Sequence, residues 1–95
     1  MKIEVDPSVR ELMPGFITNR RKDLEVMRTA LQAGDLAAIR DAGHNIRCFS
    51  RVYGFDELTD LGEQIRAAAE EGSSLRILHL QRKLSDCIER LEISV

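Results

Sequence analysis

Tryptophan is absent, and the aromatic side chains are few: Phe16, Phe49, Tyr53 and Phe55. So few rings give little platform for stacking successive bases, which argues against single-stranded nucleic-acid binding. The two cysteines, Cys48 and Cys87, build neither a disulfide framework nor, by themselves, a closed zinc site. There are two prolines and six glycines, no Asn-Gly or Asp-Gly pair, and no sustained alternation of apolar and polar residues. Little therefore remains to build hairpins or sheets. No apolar run exceeds a few residues, so no membrane span is expected. Met1-Lys2-Ile3-Glu4 also lacks the apolar stretch of a signal peptide. Charge of one sign is missing too: 14 Lys+Arg stand against 16 Asp+Glu, a net of −2. That balance speaks against a whole-molecule nucleic-acid or anionic-membrane binder.

What is present is a helical period. At 43% hydrophobic, the 95 residues are too apolar for disorder and suit one soluble domain over residues 1–95. The expected location is the cytoplasm, with reduced thiols. Val9, Leu12, Met13, Phe16, Ile17, Leu24, Met27 and Leu31 draw one stripe on a helix from about residue 7 to 33. Pro14-Gly15 interrupts it, so a short or kinked helical segment before Pro14 and then a long helix are expected. Asp6-Pro7 reads as a cap and first helical residue, and Ala33-Gly34-Asp35 as a stop followed by a new cap.

Three further stretches follow the same rule. The second runs from Asp35 to about Tyr53, with Ile39, Ala42/Gly43, Ile46, Phe49/Ser50 and Tyr53 inward, and Gly54 ends it. The third starts near Phe55 or Asp56 and buries Leu58, Leu61, Gly62, Ile65 and Ala68/Ala69. Glu71-Gly72-Ser73 stops it, Ser73 or Ser74 caps the last helix, and Ile77, Leu80/Gln81, Leu84, Cys87/Ile88 and Leu91 face in. Four amphipathic helices on short connections predict an all-α, antiparallel up-down four-helix bundle. Gly43 and Gly62 fall on inner faces, where a missing side chain lets two helices approach closely; the bland reading is that each merely weakens its helix by about 1 kcal/mol.

The outer face of the second helix stands apart. His44 lies two residues before Ile46, about 200° round the helix and so turned to solvent. Its neighbours on that face are Arg40, Asp41, Arg47, Cys48 and Arg51, three positive charges to one negative in a protein of net −2. A histidine on a polar helix face is ordinarily just solvated. Guanidinium neighbours, however, work against a charged imidazolium and offer donors that match phosphate oxygens. Asp41 could orient the ring by accepting an N–H.

The run Gly43-His44-Asn45-Ile46-Arg47-Cys48-Phe49-Ser50-Arg51-Val52-Tyr53-Gly54-Phe55 resembles the motif of the histidine phosphotransfer (HPt) domain family. That motif reads His, any residue, a large aliphatic, Lys/Arg, Gly, five residues, Gly. His44, Ile46, Arg47 and Gly54 match in register. Met13-Pro14-Gly15-Phe16, Arg20-Arg21-Lys22-Asp23, Tyr53-Gly54-Phe55-Asp56 and Leu61-Gly62 extend the likeness over roughly residues 5–93.

The resemblance implies a bundle of the kind read from periodicity and a phosphocarrier with no ATP site or kinase domain of its own. His44 would take a phosphoryl group from an aspartate of a receiver domain, in a response regulator or a hybrid sensor kinase, and pass it to another receiver. Arg47 would stabilise the phosphoryl, Arg40, Cys48 and Arg51 would border the docking site, and Gly43 and Gly54 would serve the motif structurally. The chain would bind no cofactor; Mg²⁺ belongs to the partner receiver. It would be a monomer, with no nucleic acid or membrane as partner.

Cys48 departs from the motif, which has Gly there, and Phe49, Arg51 and Val52 are bulkier than the family's usual residues. Narrowed access is expected rather than abolished transfer. The alternative is a degenerate helical module that holds a receiver or other regulatory partner on this basic face without chemistry. Cys48 also has an electropositive, exposed setting of the kind reactive thiols occupy, against the plainer reading of a tolerated substitution.

Other chemistries find less support. Asp41-x-x-His44 has a di-iron-like spacing but occurs once and faces outward, so no metal site is expected. His79 reads as surface, and Cys87 as a small hydrophobe at the core edge. Ser50, Ser73, Ser74 and Ser85 have no His partner at helical spacing, and no Gly-rich phosphate loop follows a strand. Arg20-Arg21-Lys22 reads as a solvated face.

Overall fold

The computed structural model describes residues 7–94, so the proposed Asp6 cap lies outside the described residues. A 3₁₀ segment, Pro7–Leu12, leads into four helices: α1 Met13–Ala33, α2 Leu36–Val52, α3 Asp56–Glu71 and α4 Ser74–Ser94. Pro14 does not break α1. It sits in the first turn, where its missing N–H has no helical partner to lose. The change from 3₁₀ to α geometry falls at Leu12–Met13, and this is the short segment expected before Pro14. Among the described residues that segment packs on the start of α1, which leaves Leu12 54% exposed and Val9 half-buried rather than in the core.

All three connections share one construction. Gly34, Gly54 and Gly72 have φ of +72°, +75° and +72°, and the residue after each donates its N–H to the carbonyl six positions back, counting both ends. Asp35 then caps α2 by accepting the Ala38 N–H at 3.1 Å, and Ser73 Oγ accepts the Arg76 N–H at 3.3 Å at the start of α4. Phe55 has no capping side chain; its carbonyl instead accepts both the Thr59 amide at 2.9 Å and the Thr59 hydroxyl at 2.8 Å. Such tight joints fold each helix back on the last.

Among the described residues, contacts run α1–α2, α2–α3, α3–α4 and α4–α1, with none across either diagonal. This is the antiparallel up-down ring expected from the short loops. Its core is an axial stack that includes Met13, Leu24, Met27, Ile39, Ile46, Leu58, Ile65, Ile77, Leu84, Ile88 and Leu91. Phe49, placed inward by the sequence reading, is 53% exposed, whereas Ser50 beside it is fully buried. The inner face of α2 is therefore Ile39, the Ala42/Gly43 pair, Ile46 and Ser50, recurring every three to four residues.

The α2–α3 crossing is set by two glycines. A Cβ on Gly43 would lie 2.7 Å from the Arg66 amide nitrogen and 2.8 Å from the Gly62 carbonyl oxygen. One on Gly62 would lie 2.5 Å from the Arg47 amide nitrogen and 2.7 Å from the Gly43 carbonyl oxygen. Backbone meets backbone here, and no side chain can yield. The closest helix pair in the molecule thus lies immediately beneath His44.

Candidate functional site

His44 projects from the exposed face of α2, one residue after the crossing glycine. Its nearest polar neighbour is Cys48 on the next turn. The sulfur lies 3.6 Å from Nε2 and 3.9 Å from Nδ1. Cys48 is exposed as well. The sequence placed these two side chains on one face; the structure puts them in contact.

The arginines are more engaged than the sequence implied. Arg40 pairs with Asp41 at 3.6 Å, so the carboxylate nominated to orient the ring faces a guanidinium instead. Arg47 lies half-exposed with Nη1 3.5 Å from Glu63 Oε2 on α3. Arg51 is exposed and, among the described residues, has no ion-pair partner. The three guanidiniums thus hold three different states: one paired within its helix, one shared with α3, one open.

Glu63 is the residue that sequence reasoning missed. It accepts two hydrogen bonds from Arg66, at 2.5 and 3.0 Å, and Arg66 reaches on to Glu70 at 2.8 Å. Those bonds from Arg66, then the charges of Arg66, Arg47 and His44, hold the Glu63 carboxyl below the usual carboxylate range. A carboxylate thus borders the basic face from the neighbouring helix. The signal was present in the glycines: if Gly43 and Gly62 cross, the residue after each must flank the crossing, and these are His44 and Glu63.

Arg20 was missed differently. It is not solvated but 5% exposed, with its guanidinium 5.2 Å from the Phe16 ring centre and 4.9 Å from that of Phe49, and Nε 2.8 Å from an Asp23 oxygen. Burial raises the Asp23 carboxyl against the pull of Arg20. Phe16 also packs edge-on against Tyr53 and Phe55, with ring centres 4.8 and 5.4 Å apart. Together these tie the start of α1 to the end of α2. Leu12, Phe16, Arg20, Phe49 and Tyr53 line an open groove of about 460 Å³ there. Phe49 and Val52, the bulky departures from the motif, are exposed beside the turn that ends at Gly54.

The remaining candidates fall into place. Gly54 supplies the left-handed residue that ends α2. His79 is exposed. Cys87 is buried and touches Glu57 at 3.5 Å, and burial, then the Glu57 charge, pushes its thiol up to about 12. Among the described residues no cluster of three or more His, Cys, Asp or Glu forms a metal-binding group, and no helix is long and apolar enough to cross a membrane.

A four-helix ring with an outward imidazole on its second helix, followed in register by Arg47 and Gly54, defines a class of signalling module. A family model for the Hpt domain matches residues 11–93, and the chain belongs to that family. Hpt domains are the histidine phosphotransfer modules of phosphorelays; they are carriers rather than kinase domains and interact with receiver domains. Comparison with curated proteins and with solved structures found no match.

Proposed function

We propose that this chain is a single Hpt phosphocarrier, with His44 as the acceptor. In this reading Nε2 attacks the phosphorus of a receiver's aspartyl phosphate, the bond from phosphorus to the carboxylate oxygen breaks, and the aspartate leaves with the electron pair. His44 then holds the phosphoryl as a phosphoramidate until a second receiver's aspartate takes it by the reverse displacement. The Mg²⁺ that such transfer uses belongs to the receiver, and this chain contributes no cofactor of its own. Arg47 offsets phosphoryl charge, while Arg40, Cys48 and Arg51 border the docking surface; Gly43 and Gly54 hold α2 in place. Chemistry of this kind rests on positioning and electrostatics. The protein acts as a cytoplasmic monomer that pairs with a receiver and with neither nucleic acid nor membrane.

The observation that carries this reading is the placement of His44: exposed, in register with Arg47 and Gly54, on a helix whose backbone is seated directly on α3. The test is transfer from receivers charged with acetyl phosphate and Mg²⁺. Wild type is expected to gain an acid-labile, base-stable label, His44→Gln none, and Arg47→Ala a label acquired about tenfold more slowly. Label retained by His44→Gln would move the acceptor elsewhere. No label across a broad receiver panel, with the bundle shown to be folded, would overturn the carrier.

One observation favours the second reading, a binding module without chemistry. The Cys48 sulfur, 3.6 Å from Nε2, occupies space that the motif's glycine leaves open. Under that reading receiver binding survives His44→Gln, and Cys48→Gly restores transfer.

A further inference from the structure

The two thiols of this protein live in opposite surroundings. Cys87 is buried, contacts the Glu57 carboxylate and stays a thiol. Cys48 is exposed, with an imidazole nitrogen 3.6 Å from its sulfur. The pair spans one helical turn of α2, so helix geometry alone makes the two side chains neighbours and no loop movement is needed. An imidazole at this distance is placed to take the thiol proton as the sulfur attacks an electrophile. Arg51, one turn on from Cys48 and without an ion-pair partner among the described residues, offers an open guanidinium to carboxylates on the incoming molecule.

We propose that Cys48 is a modification site for anionic low-molecular-weight disulfides of the oxidised-glutathione class, and that the resulting mixed disulfide shuts the phosphoacceptor. The regulatory half rests on the phosphocarrier reading of His44; the modification half does not. In the step, Cys48 Sγ attacks one sulfur of the disulfide, a new S–S bond forms and the original one breaks. The departing sulfur leaves as a thiolate and is thereby reduced, while Cys48 is oxidised. The Cys48 proton passes to His44 and then to the leaving thiolate, so no further oxidant is needed. An adduct on a sulfur 3.6 Å from Nε2 covers the approach to that nitrogen and places its carboxylates where the phosphoryl must arrive. The block is reciprocal: a phosphoryl on Nε2 removes the proton acceptor and shields the sulfur. Thiol reduction reopens the site.

The full chain is incubated with oxidised glutathione, then analysed by intact mass, peptide mapping and receiver-driven labelling. One glutathionyl group is expected on Cys48 and none on Cys87. Labelling is expected to fall at least about tenfold and to return with dithiothreitol, while labelling of Cys48→Ser does not respond to the disulfide. His44→Gln is expected to acquire the adduct about tenfold more slowly, the loss of a placed base. Equal adduct rates in wild type and His44→Gln, or preferential reaction at Cys87, would overturn the modification site. A stoichiometric Cys48 adduct with undiminished labelling would overturn the regulation. Should wild type accept no phosphoryl even when reduced, the carrier reading and the regulation fail together, and the adduct rates still decide the thiol–imidazole pair.

Discussion

At the scale of single residues, Arg47 is contested. Its guanidinium is 3.5 Å from Glu63, and in the proposed transfer an arriving phosphoryl group would have to compete for it. Both side chains are well exposed, so solvent screens the pair and it is weak. Glu63→Gln should therefore speed receiver-driven labelling of His44 by about two- to fivefold, and the gain should vanish in an Arg47→Ala background. A double-mutant cycle of labelling rates checks this; an equal gain with and without Arg47 would show that Glu63 acts by another route. His44, Arg47 and Cys48 were legible because helical spacing places them on one face. Glu63 was not, because it reaches that face from another helix.

At the scale of elements, the Gly43–Gly62 crossing decides how rigidly α2 presents His44. In an exposed helix Gly→Ala would add about 1 kcal/mol of stability. At Gly62 the new methyl would meet the Arg47 amide nitrogen at 2.5 Å, which only separation of α2 from α3 can relieve. The clash outweighs the propensity gain, and Gly62→Ala should destabilise the protein by about 2–3 kcal/mol, the upper part of the overpacking range. Urea unfolding measures it, and a stabilised variant would contradict the backbone contact. The ends of these helices were readable from Gly34, Gly54 and Gly72, each a stop followed by a new start. Arg20 shows the opposite case. Its charge marks it as solvent-facing, yet Phe16, Phe49 and Asp23 converge on it from α1 and α2 and bury it. Phe49 in turn leaves the core to cover that cation, while the small Ser50 takes the inward position.

At the scale of the whole molecule, the seam between α3 and α4 is tied by a carboxylate. Glu57 in the first turn of α3 accepts hydrogen bonds from Arg90 of α4 at 2.8 and 3.0 Å and one from Cys87 at 3.5 Å. The Arg90 bonds, above the opposing effect of burial, hold the Glu57 carboxyl below its ordinary range. A depressed carboxylate contributes stability that is full above its unfolded value and is lost as pH falls through the folded one. Glu57→Gln should thus be less stable than wild type by about 0.5–1 kcal/mol at neutral pH, the two converging in acid. Denaturant titrations at several pH values test this, and a pH-independent gap would assign the loss to packing instead.

The helices, their stops, the up-down order and the outward stripe bearing His44 were determined by the sequence itself, because periodicity and caps act between residues close in the chain. Which faces meet across the bundle was decided only by the tertiary structure. Glu63 against Arg47, Arg20 between two rings, and the closeness of α2 to α3 depend on contacts between helices, whose rotations and spacing are settled by how the whole core packs.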